Sequence, residues 1–119
     1  MKKINLRDKF SLFTEHWTPK VVAELNGQHV KLAKLQGEFI WHKHNEEDEL
    51  FMVVKGKLRI EFRDSAVELM ENEMLVVPRG VEHKPVAEEE VWLMMFEPAG
   101  TLNTGNEQNE RTKKELDII

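Results

Sequence analysis

The chain contains no cysteine and no tyrosine, and only four prolines and six glycines punctuate its 119 residues. Without cysteine there can be no disulfide, no thiolate metal ligand and no thiol nucleophile, so a metal site here must be built from nitrogen and oxygen. No apolar run approaches the length of a membrane span, and the opening Met-Lys-Lys-Ile-Asn-Leu-Arg-Asp carries charge with no hydrophobic segment behind it. A cytoplasmic protein with no membrane partner is the expectation. Lys and Arg number 17 against 22 Asp and Glu, giving a net charge of −5 and a pI near 5.6. They form no cluster, which speaks against a nucleic-acid surface. The acids concentrate at 46–49, 68–73 and 88–90. We read these as solvated turns and strand ends, with Glu49 as the exception.

A hydrophobic content of 40% suffices for one core, so the reading is a single domain over 1–119, with its barrel core at about 28–98 and a tail at 99–119. Asn5 followed by Asp8, with Leu6, Phe10 and Phe13 at helical spacing, predicts a short amphipathic helix near 5–13 that covers one end of a sheet. Asn26-Gly27 between two alternating segments, 20–25 and 28–35, predicts a two-residue hairpin. Further strands are expected at 38–44, 49–55, 57–63, 66–69, 74–77, 83–86 and 91–97. Short strands at roughly ten-residue intervals, broken by Gly, Pro, Asn and Asp, indicate an all-β sandwich or barrel. Leu58, Ile60 and Phe62 alternate with charges and should face inward. Segments 50–54 and 91–96 are apolar on both faces, so both faces need cover, and a homodimer formed by sheet-to-sheet contact or exchanged N-terminal strands follows. From Pro98 onward Gly, Asn, Thr and Glu predominate, which reads as a mobile or draped tail whose Leu116, Ile118 and Ile119 could add a strand.

Chemistry concentrates in His42-Lys43-His44-Asn45-Glu46-Glu47-Asp48-Glu49 and in Pro78-Arg79-Gly80-Val81-Glu82-His83. On an extended chain His42 and His44 project to one side, about 7 Å apart, within reach of one ion. A polar turn then places Glu49 at the start of the returning strand. Pro78 and Gly80 make a turn that brings His83 back into the sheet. Three imidazoles and one carboxylate fill four positions of an octahedron and leave two open. The remaining histidines, His16 and His29, lack this context and read as structural or solvent-facing.

Gly37 through Gly56, with His42, His44, Glu49 and Gly56 in register, resembles the first motif of the cupins. Asn72 through Ala87, with Pro78, Gly80 and His83 in place, resembles the second. The spacer after Gly37 is one residue short, and Asn72 and Ala87 stand where the family pattern has Gly and Asn. The resemblance implies a double-stranded β-helix, or jelly-roll cupin barrel, with a divalent transition metal (Fe, Mn, Ni, Co or Zn) held by His42, His44, Glu49 and His83.

Within such a barrel, parity places Ile40, Phe51 and Val53 toward the interior as walls of a small-molecule pocket, with Arg79 at its mouth. Trp17, Trp41 and Trp92 read as shell or interface packing. The lack of tyrosine and the presence of Glu49 set the chain apart from cupin sugar epimerases and thiol dioxygenases. Three histidines with a glutamate are similar to dioxygenase and oxalate-degrading cupins. The resemblance therefore implies a metalloenzyme acting on a small organic molecule, with dioxygenase-like oxidative cleavage leading. A non-catalytic binding or sensing cupin and a sugar isomerase-type cupin are the alternatives.

Overall fold

The computed structural model describes residues 1–119 and contains one short helix and seven strands. Helix α1, Leu6–Phe10, begins where the Asn5 side-chain oxygen accepts the backbone N–H of Asp8 at 3.0 Å. It is shorter than the 5–13 pattern predicts. The Ser11 hydroxyl donates to the Asp8 carbonyl at 2.6 Å, and the chain leaves the helix there, so that Phe10 and Phe13 are both buried.

Strands β1, Lys20–Leu25, and β2, Gln28–Glu38, form the predicted hairpin. Asn26 and Gly27 both have positive φ, 50° and 75°, as the favoured two-residue turn requires. Strands β3 (Glu49–Lys55), β4 (Leu58–Glu61), β5 (Ala66–Leu69), β6 (Met74–Val77) and β7 (Lys84–Pro98) complete the barrel. The pairing runs β1-β2-β7-β3-β6, while β4 pairs with both β5 and β7, and every pairing is antiparallel.

Two expected strands, 83–86 and 91–97, are in fact the two arms of β7. Its exposed Glu88, Glu89 and Glu90 bulge outward where the register with β2 jumps from Leu35 opposite Val91 to Gly37 opposite Ala87. One arm pairs with β4 and the other with β3, so this bend carries the strand around the barrel. The segment expected as a strand at 38–44 also differs. Regular pairing ends at Glu38, and beyond it only His42 bridges to His83.

Ala33, Leu35, Phe51, Val53, Leu58, Ile60, Val91, Leu93 and Met95 contribute to the buried barrel interior. On the outer sheet face, Phe10, Phe13, Val22 and Leu32 form a second cluster, with Trp92 and Met94 packed against it. The Phe10 and Trp92 rings stack at 4.8 Å. Part of the second apolar face is thus covered by the chain's own N-terminal segment.

The tail is anchored. Val21 N–H donates to the Asp117 carbonyl at 2.9 Å, Ile119 N–H donates to the Val21 carbonyl at 3.0 Å, and Ile118 bridges to Val21. Nearer the barrel mouth, Asn106 and Lys43 exchange two hydrogen bonds of 2.9 Å, and Thr104 is fully buried. This is the draped form of the tail, with Ile118 at the added pairing, and backbone and amide hydrogen bonds hold the segment. No helix is long and apolar enough to cross a membrane.

Candidate metal centre

The antiparallel bridge between His42 and His83, with N–H to carbonyl distances of 3.1 and 2.9 Å, joins the two motifs. Gly80, with φ +81°, closes the Pro78 turn, and its N–H donates to the His44 carbonyl at 2.8 Å. Glu49 enters from the first position of β3. One ligand atom from each of His42, His44, Glu49 and His83 lies within 4.8 Å of all the others. Two donors about 2.1 Å from one ion stand about 3 Å apart at a right angle and about 4.2 Å apart when opposed. The His44 Nε2 and His83 Nε2 atoms lie 3.3 and 3.4 Å from Glu49 Oε1, in keeping with adjacent positions around one centre.

The hydrogen-bonding pattern fits the same purpose. His42 Nδ1 and His83 Nδ1 are directed at the Ile40 and Val81 carbonyls, each at 2.9 Å, which orients their opposite nitrogens toward the centre. His44 Nε2, His83 Nε2 and Glu49 Oε1 are buried with no hydrogen-bond partner. Buried polar atoms left unpaired are costly, and shared coordination of one ion would satisfy all three. Burial, reinforced by the neighbouring His83, pushes the His42 imidazole down to about 4, so it is neutral near pH 7. Burial works against the charged form of Glu49, but the His44 and His83 rings outweigh it and hold the carboxyl well below its ordinary range. Neutral imidazole and ionised carboxylate are the protonation states that bind metal. These four side chains form a group able to hold a metal ion.

Beside them lies a cavity of about 40 Å³, with walls that include Phe51, Leu93 and Met95. That is room for a few water-sized groups. Phe51 lines it, as parity predicts. Ile40 does not, because 39–44 is no regular strand and the two-residue alternation slips. Phe39 lines the cavity instead, its ring edge-on to His42 at 5.4 Å. Val53 lies fully buried in the core, outside the cavity lining. Arg79 is exposed and pairs with Asp48 at 3.3 Å, bracing the 45–48 turn rather than facing the cavity. Trp17, expected as shell packing, lines the cavity and stacks on Phe39 at 4.8 Å.

Sequence reasoning passed over Glu97, Lys31 and Asn103. Glu97 lines the cavity, and its Oε1 accepts from Lys31 Nζ at 2.8 Å. Its other oxygen is buried and unpartnered. Burial and the nearby Glu49 charge raise the Glu97 carboxyl well above its usual range, with Lys31 only partly opposing them. The signal was present in the alternation of Val91, Leu93 and Met95, which places Glu97 on the same inward face. His16 and His29 pair with Glu90 and Glu24, respectively, away from the cluster.

Comparison with known proteins agrees with the geometry. The YdbB protein of Bacillus subtilis is 39% identical over 64 residues, which cover 53% of this chain and 57% of YdbB, so the matched part is little more than half of that relative. A crystal structure of a cupin-2 domain protein from Shewanella frigidimarina is 54% identical and superposes with a TM-score of 0.79, over 80% of this chain and 93% of that one. The NMB1881 protein of Neisseria meningitidis is 31% identical, with a TM-score of 0.76 over 82% of this chain and all of its own. Residues 28–97 match the family model described as the cupin domain, and both motifs and all four candidate ligands lie within that range. With that match over more than half of its length and a buried three-histidine, one-glutamate cluster inside the matched range, the chain belongs to the cupin family.

Proposed function

We propose that His42, His44, Glu49 and His83 hold one divalent transition-metal ion, and that the protein is a metalloenzyme acting on a small organic molecule by dioxygen-dependent oxidative cleavage. The observation that carries this reading is the convergence of four donor atoms within 4.8 Å, three of them buried and otherwise unpartnered. An imidazole and carboxylate set suits Mn, Fe, Co, Ni or Zn, with the later ions favoured in affinity. The ion would supply Lewis acidity and a template for the ligand and, if redox-active, a route for electrons to dioxygen. The protein's part is to aim the three imidazoles inward, to keep His42 neutral, to fix Glu49 as the anionic ligand, and to exclude water with Phe51, Leu93 and Met95.

Oxygen consumption by protein loaded separately with Fe(II), Mn(II), Co(II) and Ni(II), across a panel of diketones, phenols and organic acids, tests the reaction class. Turnover that disappears in His44→Ala supports it. Metal-dependent binding without turnover across the panel replaces it with the binding or sensing alternative.

The small-molecule site is accompanied by a proposed self-association. Leu50, Phe96 and Val76 are register neighbours on the outer sheet face, as are Met52, Met94 and Met74. Met74 and Val76 are exposed, and the other four are half-buried. A second copy facing these two apolar rows would give the homodimer, and a monomeric mass by light scattering at micromolar concentration would contradict it.

A further inference from the structure

The anchored tail brings a guanidinium against two residues of the cavity wall. Trp17 and Phe39 both line the cavity, and their rings stack nearly parallel, at 13°. The guanidinium carbon of Arg111 lies 4.6 Å from the centre of the Phe39 ring and 5.5 Å from that of Trp17. Cation–π contact of this kind holds the charge against the aromatic pair without neutralising it.

Two further contacts fix its position. An Arg111 side-chain N–H donates to the Glu38 carbonyl at 3.2 Å. Asn103, itself a cavity wall, donates from Nδ2 to the Arg111 carbonyl at 2.9 Å and accepts the Lys113 N–H at 2.8 Å. Arg59, Arg63 and Arg79 are each paired with a carboxylate, whereas the Arg111 guanidinium has only that carbonyl. A planar fork of five donors, partly desolvated and with most of its hydrogen-bonding capacity free, is the chemistry that recognises a carboxylate. The interior favours the same sign. With a divalent ion bound, Glu49, Glu97 and Lys31 leave a net positive charge whether or not Glu97 carries a proton, and that field draws an anion inward.

We infer that the cavity takes a small organic carboxylate with an apolar body, and that Arg111 is the residue that selects it. The carboxylate meets Arg111 beside the Trp17 and Phe39 rings while the apolar body lies along Trp17, Phe39 and Leu93. This deepens the function proposed above and rests on its reading of the cavity as the ligand site. The position of Arg111 is independent of any metal.

The test is calorimetric titration of the full chain, supplied with Co(II), using propionate and butyrate against the uncharged propanol and butanol, with metal content measured on the same samples. A charge-assisted pair of hydrogen bonds predicts carboxylates binding at least about tenfold tighter than the matched alcohols. Arg111→Gln should remove most of that preference, leaving only what the positive interior contributes, with alcohol affinity within about twofold, and Arg111→Lys should keep more of it, as a point charge without the planar fork. Equal affinity for carboxylate and alcohol, no binding of either, or an Arg111→Gln effect shared by both overturns the inference. A protein that takes up no metal yet prefers carboxylates through Arg111 overturns the metal reading alone. One that binds metal but is indifferent to the carboxylate overturns the inference alone.

Discussion

Lys31 and Glu97 form an ion pair of 2.8 Å in which both side chains are only 2% exposed, inside a barrel whose walls are largely apolar. Such pairs contribute little net stability, but leaving one charge behind is costly. Glu97→Ala leaves the Lys31 ammonium with the Thr101 carbonyl at 3.3 Å as its remaining partner. A loss of about 3 kcal/mol is expected on urea unfolding. Lys31→Met should be milder, because the Glu97 carboxyl left behind can take up a proton, the form that burial and the Glu49 charge favour.

The metal-free protein should lose stability in mild acid. His42 has a folded-state pKa of about 4 against an ordinary value of 6.5, so the unfolded chain takes up the proton first as pH falls. Its contribution is complete above pH 6.5, declines between 6.5 and 4, and amounts to about 3 kcal/mol over that window. Glu49, held below its ordinary range, acts in the same direction at lower pH. Melting temperatures of chelator-treated protein from pH 7 to pH 4 measure this slope, which His42→Gln should flatten.

Gly105 controls how the tail closes on the barrel. Its φ is +57°, and an added Cβ would be driven into the Lys43 carbonyl and against the His42 ring. Gly105→Ala should therefore detach the segment around Asn106, costing on the order of 2 kcal/mol and exposing it to limited proteolysis. Unchanged melting and protease resistance would mean that the tail does not bear on the metal cluster.

The β architecture was legible because burial leaves a two-residue imprint. Leu58 and Ile60 alternate with charges and are fully buried, and Asn26-Gly27 specified its turn. The four candidate ligands were legible for a different reason, since fixed spacing around two turns is a local property. What escaped depends on contacts distant in sequence. Ile40 lost its inward position because 39–44 is shaped by the bridge to His83, and the single strand β7 looked like two because three glutamates interrupt its apolar pattern. The tail's docking depends on Asn103, Asn106 and Arg111 finding partners up to 73 residues away, which composition does not encode.

Binding of metal should appear as stabilisation. At a free concentration one hundred times the dissociation constant, an ion specific for the folded state adds about 2.7 kcal/mol. Melting temperature should rise on adding Co(II) or Zn(II) to the wild-type chain and stay unchanged in Glu49→Ala or His83→Ala.

Elemental analysis of protein purified without a histidine tag and exchanged into metal-free buffer reads the occupancy of the four-residue cluster itself. About one transition-metal ion per chain is expected in the wild type, falling below about a tenth of that in His42→Ala and His44→Ala. A folded wild-type chain that stays metal-free after growth and reconstitution with excess Mn, Fe, Co, Ni or Zn, or variants that retain the full complement, would contradict it.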